Sequence, residues 1–118
     1  MWECIYQDLD DKDQDAYHVF CWNDSGRVAA CLRVFWNNEA EGIAQIGRVV
    51  TLEHGKGLGG KMLHEGVRIA ADILKAKKIY LEAQEYAIGY YAKEGLEVVS
   101  DPFMEDGIPH VKMERTLD

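Results

Sequence analysis

The sequence predicts a single α/β (α+β) domain in which a mixed central sheet is flanked by helices. Three observations carry that expectation. Extended apolar runs separated by polar turns fill residues 17–51. A glycine cluster, Gly55 to Gly60, then opens an amphipathic stretch of helical period. Ile79 to Ala83 follows as a short apolar run, so strand, helix and strand should close a right-handed parallel crossover. The 118 residues suffice for one core and little more.

In chain order, Asp8, Asp10, Asp11, Asp13 and Asp15 come first. They lack the glycine and terminal glutamate of a calcium loop and read as a solvated loop; no metal site is expected. Tyr17–Trp22 and Arg27–Trp36, rich in β-branched and aromatic residues, flank Asn23-Asp24-Ser25-Gly26 and make a β-hairpin. A polar turn over Asn37–Gly42 leads into the third strand, Ile43–Thr51. The helix should run from about Leu58 to Lys75, with Leu58, Met62, Leu63, Val67, Ile69, Ala70, Ile73 and Leu74 inward. Lys61, His64, Glu65, Arg68, Asp72 and Lys75 face out. Glu85–Glu94 reads as a second helix that Gly95 caps. Leu96–Val99 is a strand, and after turns at Asp101-Pro102 and Glu105–Gly107 the last strand spans Ile108–Thr116.

Composition narrows the partners. A formal net charge of −8 argues against nucleic acid or an anionic membrane, but suits a cationic small molecule or peptide amine. No apolar run reaches the length of a membrane span, and Met1-Trp2-Glu3-Cys4 does not open a signal peptide. Cys4, Cys21 and Cys31 show no C-x-x-C spacing; they suit a reducing cytoplasm as buried small hydrophobes.

The glycine cluster is the chemical centre of the sequence. Its glycines bring backbone N–H groups close to whatever approaches, and the helix start behind them favours an anion such as phosphate. Gly55, Gly57 and Gly60 fit G-x-G-x-x-G, but polar Glu53 and His54 separate them from the strand. Gly55 to Lys61 also spell G-x-x-x-x-G-K, with Met62 where a nucleotide loop needs Ser or Thr.

A third pattern fits better. His54 followed by Gly57-Leu58-Gly59 resembles the (Gln/Arg)-x-x-Gly-x-(Gly/Ala) loop of the GCN5-related N-acetyltransferases, the GNAT superfamily, with His54 in place of Gln or Arg. Tyr91-Ala92-Lys93-Glu94-Gly95-Leu96 is similar to the Tyr-x-x-x-Gly-Phe of that family. Glu3–Asp10 with His18, and Glu105-Asp106-Gly107-Ile108-Pro109-His110, resemble its ElaA-like subfamily.

The resemblance implies a GNAT-like acyl-CoA N-acyltransferase fold and acetyl-CoA as co-substrate, without a metal. Val49, Val50 and Thr51 would pair with the pantetheine arm. His54, Gly55, Lys56, Gly57, Leu58, Gly59, Gly60 and Lys61 would hold the pyrophosphate, and Gln84 and Tyr91 would contact CoA. It also implies that Tyr91 protonates the departing thiolate. Glu82 and His110 are the candidate bases, with His18 a weaker one; Gln45, Gly47 and Arg48 stand where many relatives carry a glutamate.

Family members carry a first strand and helices before the region matching Glu3, so the fold is expected to be N-terminally shortened. The outer edge of Tyr17–Trp22 would then need cover from another chain, a homodimer being the favoured form, or from residues 1–16 folded back over it. The leading function is transfer of acetyl to a small-molecule or peptidyl amine. A non-catalytic CoA-binding module and a nucleotide-binding domain are the alternatives.

Overall fold

A computed structural model of the chain describes residues 3–9, 16–22, 25–51 and 58–117. The described strands are β1 Glu3–Leu9, β2 Ala16–Trp22, β3 Val28–Asn38, β4 Ile43–Thr51, β5 Lys78–Gln84, β6 Glu97–Val98, β7 Phe103–Glu105 and β8 Ile108–Thr116. The helices are α1, Leu58–Arg68, and α2, Ile88–Ala92. The strands form one mixed sheet in the order β1-β2-β3-β4-β5-β8-β6, with β7 also on β8. All pairings are antiparallel except β4 with β5, the two strands joined by the α1 crossover.

Strand alternation gives the sheet two unlike faces. On one, Val19, Leu32, Val34, Ala44, Ile46, Ile79, Leu81, Val111 and Met113 are buried in a single core with Met62, Leu63 and Ile69 beneath them. Tyr91 and Leu96 join that core from α2 and the turn after it, so both helices share one face. The other face carries His18, Phe20, Trp22, Arg33, Phe35, Gln45, Tyr80 and Glu82, and no described helix covers it.

Two pieces of the sheet go beyond the sequence reading. Glu3–Leu9 pairs antiparallel with β2, from Glu3↔Trp22 to Leu9↔Ala16. The outer edge of β2 is therefore covered by the chain's own residues, the fold-back form of the expectation. Phe103–Glu105, read only as turn-flanking sequence, forms a hairpin with β8 around Asp106 and Gly107. Three residues carry too little periodicity to announce a strand; the partner makes it one.

The helices differ at their ends. α1 stops at Arg68, and a π-helical turn over Ile69–Ile73 completes the expected span. Its exit resembles a Schellman motif: Ala76 N–H donates to the Ala70 carbonyl, and Lys75 takes the left-handed conformation at φ 57° usually given to glycine. The second helix is shorter than Glu85–Glu94: Glu85–Ala87 is a 3₁₀ turn, and only Ile88–Ala92 is α-helical. Gly89 within so short a stretch lowers its helical tendency. Gly95 does cap it, at φ 84°. His64 is a surface histidine as expected, and it reaches Glu94 Oε1, in the turn after α2, at 3.2 Å.

The cysteines are corrected as well. Cys21 is fully buried but disulfide-bonded, whereas Cys31 is free and half-buried. Asp8, expected in a solvated loop, is instead in β1 opposite Tyr17, and Asp10 to Asp15 lie outside the described residues.

Candidate functional site

The parallel ladder between β4 and β5 lasts only from Ile43↔Lys78 to Gln45↔Tyr80. Beyond it β4 stays with β3 as far as Thr51, and β5 stays with β8 as far as Gln84. The two strands therefore part at their carboxyl ends. The cause lies in β4: Arg33 pairs with Gly47, but Cys31 pairs with Val50. Two steps on β3 match three on β4, which places a β-bulge at Arg48–Val49. A bulge bends and twists its strand, and here it turns β4 away from β5.

The opening has walls of different character. From Ile46 onward the β5-facing edge of β4 is no longer paired to β5, leaving backbone N–H and C=O groups for an extended ligand to join as an extra strand. The bulge also resets the side chains, so that Val49 packs on the core and Val50 is 45% exposed. Gly47 belongs here for space: a Cβ would sit 3.2 Å from the Phe35 ring, over which the Arg33 guanidinium lies at 4.7 Å.

Because α1 follows β4 in a parallel crossover, it begins at the end where β4 and β5 part, with its free N–H groups and positive dipole end. Leu58, Gly59, Gly60 and Lys61 make its first turn; Gly60 and Lys61 are exposed. His54, Gly55, Lys56 and Gly57 lie outside the described residues.

Glu82 and Gln84 lie on β5 beyond its last pairing with β4, on the face that no described helix covers. Glu82 is exposed, and the Tyr80 hydroxyl donates to its Oε2 at 2.7 Å. Lys112 stands opposite Glu82 on β8, and Glu114 stands opposite Tyr80 while pairing with Lys78 at 3.3 Å. Burial raises the Tyr80 pKa above its ordinary value, and the hydrogen bond to Glu82 and the surrounding carboxylates raise it further.

His110 is one strand farther from the opening, opposite Gln84. It is buried, its Nδ1–H donates to the Ile108 carbonyl at 2.8 Å, and its Nε2 lies 3.6 Å from Glu105. With Phe103 stacked on the ring, the histidine pins the β7–β8 hairpin. Gln45 also has a structural task, accepting from Asn37 at 2.9 Å. His18 is on β2, two strands from the opening, edge-on to Phe20.

Tyr91 is 7% exposed, against Tyr90 at 4.9 Å between ring centres. Burial, with a smaller contribution from Tyr86, pushes its pKa up to about 12. The expected match between phenol and thiol is therefore lost in the free protein, where the phenol keeps its proton. Burial first, then Tyr91 and Glu94, raise Tyr90 as well. The folded state thus holds protons that the unfolded state releases near pH 10. Stability should be unaffected below that pH and fall as pH climbs from about 10 to 12, by up to about 1.4 kcal/mol per pH unit for each such tyrosine. Denaturant titration across this window should show a shallower fall for Tyr91→Phe; identical slopes would place Tyr91 at an ordinary pKa.

Comparison with known proteins meets this geometry at the level of the whole chain. The family model for an acetyltransferase (GNAT) domain matches residues 2–117. A UPF0039 protein of Schizosaccharomyces pombe is 32% identical over 118 aligned residues, covering 98% of this chain and 77% of the relative. Protein ElaA of Escherichia coli is 30% identical, covering 97% of this chain and 76% of that protein. The crystal structure of E. coli ElaA superposes with a TM-score of 0.78, covering 92% of this chain and 75% of the other. An acyl-CoA N-acyltransferase from Pseudomonas aeruginosa gives a TM-score of 0.73 at 33% identity, covering 86% and 68% respectively.

Proposed function

The chain belongs to the GNAT acetyltransferase family, and from that premise we propose that it moves the acetyl group of acetyl-CoA onto a small-molecule or peptidyl amine. The observation that carries this reading is the parting of β4 and β5 at the bulge, with an unpaired strand edge on one side and Glu82 on the other.

The pantetheine arm contains two amides and so can add to the β4 edge at Val49–Thr51 as a short strand. The pyrophosphate would meet the glycine loop from His54 through Gly57 and the first turn of α1, Leu58 to Lys61. Gln84 and Tyr91 would stand beside the thiol end. Holding thioester and amine together supplies much of the rate, because a bimolecular encounter becomes a local one. No step in this scheme calls for a metal.

The amine nitrogen attacks the thioester carbonyl, a C–N bond forms, and the C–S bond breaks. The nitrogen gives up a proton and the thiolate takes one. Glu82 is our first choice for the acceptor of the amine proton, since it stands in the opening and is exposed. His110 is the second choice, because both its ring nitrogens already face other groups. Tyr91 serves the thiolate. An acidic chain and an exposed carboxylate both favour an amine that arrives as a cation; it loses one proton to solvent before the neutral nitrogen attacks, and the second passes to Glu82 as the C–S bond breaks.

Thiol release from acetyl-CoA across a panel of amines tests the reading. Acceptance of at least one amine, with loss of turnover in Glu82→Gln, is the expected result; CoA binding without turnover on any amine would reduce the chain to a CoA-binding module. A homodimer is proposed as the cover for the open sheet face at Phe20, Trp22 and Phe35, and sedimentation at micromolar concentration reads it. The cytoplasmic address is proposed from the cysteine count alone, and the disulfide at Cys21 counts against it, since a reducing compartment keeps thiols free.

A further inference from the structure

Glu82 has a neighbour for which the chemistry above found no use. Tyr80 precedes it by two residues on β5, so both side chains rise from the same sheet face. Tyr80 is still paired to β4 through Gln45, whereas Glu82 is past the end of that ladder. A half-buried ring thus stands at the apex of the opening, next to an exposed carboxylate inside it. The ring's hydroxyl donates to Glu82 Oε2 at 2.7 Å, and Oε1 has no hydrogen-bond partner among the described residues.

We propose that Tyr80 is a positioning residue for acetyl transfer: its hydroxyl holds one oxygen of Glu82 and leaves the other to accept the amine proton. This rests on the acetyltransferase reading and on Glu82 as proton acceptor. The physical need is plain. An exposed glutamate samples many rotamers, and only a few place an oxygen on the nitrogen of an amine seated in the opening. A hydrogen bond from a ring fixed by strand pairing selects among them. The donor also keeps its proton throughout the working range, because burial and Glu82 itself raise its pKa. Lys112 stands opposite Glu82 without bonding to it, so Tyr80 is the hydrogen-bonded neighbour of Glu82 among the described residues.

The test compares the parent, Tyr80→Phe, Glu82→Gln and the double variant in the thiol-release assay, using acetyl-CoA and the best amine of the panel. Tyr80→Phe should lower kcat about 10-fold and leave the KM for acetyl-CoA unchanged, in line with the cost of misplacing a reacting group. On the Glu82→Gln background the same change should cost less than about 2-fold, since the group it positions is gone. Additive losses, or a fall confined to thermal stability, would overturn the proposal and leave Tyr80 a packing residue. Unchanged kcat in Tyr80→Phe alongside an active parent overturns this inference alone; an inactive parent overturns it together with the reading beneath it. A second readout is independent of turnover: in ¹³C-tyrosine-labelled protein, the Cζ resonance of Tyr80 should move in Glu82→Gln, and a stationary signal would also overturn the bond.

Discussion

Replacing Gly57 with aspartate should weaken acetyl-CoA binding by orders of magnitude while the protein stays folded. Gly57 lies in the segment between β4 and α1, outside the described residues, but both ends of that segment are placed. β4 delivers it to the parting of the sheet, and α1 starts from it with free N–H groups. The proposed pyrophosphate site depends on backbone donors that a loop of glycines leaves bare, and any side chain adds bulk to that loop. A carboxylate adds repulsion to bulk. Each hydrogen bond to a charged group is worth about 1.5–3 kcal/mol, so losing two costs about 10²- to 10⁴-fold in affinity. Calorimetric titration with acetyl-CoA measures it. Unchanged affinity in a folded Gly57→Asp protein would remove the glycine loop from the site.

Tyr91→Phe carries the second large effect: kcat should fall by about 10²-fold or more, with acetyl-CoA affinity nearly intact. The structure alters the chemistry behind this expectation. A phenol with a pKa of about 12 lies some 3.5 units above a free thiol, so full transfer of its proton to the thiolate is uphill. The contribution we propose for it is then a preorganised O–H that stabilises charge developing on sulfur, and removing one such donor typically costs about 10²–10³ in rate. The hydroxyl makes no hydrogen bond among the described residues, which leaves it available for that task. A loss of affinity with kcat preserved would identify Tyr91 as part of the core and nothing more.

Much of the architecture follows from local chemistry. The bounds of β4 and β8 coincide with the expected Ile43–Thr51 and Ile108–Thr116, because apolar runs bounded by glycine and polar turns leave little choice. The inward face of α1 holds Met62, Leu63 and Val67 as its 3.6-residue period requires, and the π-helical turn carries that face on through Ile69 and Ala70. Gly95 ends the second helix because a left-handed cap is easiest for glycine. The right-handed crossover needed only strand, helix and strand in succession. Motif resemblance alone points to the family.

The site depends on contacts that no short window contains. β1 and β7 are strands only by virtue of β2 and β8, which supply their hydrogen bonds. The bulge at Arg48–Val49 is a mismatch between two strands and so cannot be read from either one. That mismatch opens the sheet, and the opening separates Glu82, inside it, from His110, a strand away and engaged with Ile108 and Glu105. Both residue types suit a base, which is all that sequence can weigh; the choice of Glu82 over His110 is a proposal that rests on their surroundings. Tyr91 likewise was legible as a motif position, whereas its raised pKa comes from side chains that bury it on folding. By itself the sequence determined the elements, their order and the family, since these arise from periodicity, turn chemistry and motif spacing. The tertiary structure decided where the sheet parts and which carboxylate stands in the gap, since strand register and desolvation exist only once distant segments meet.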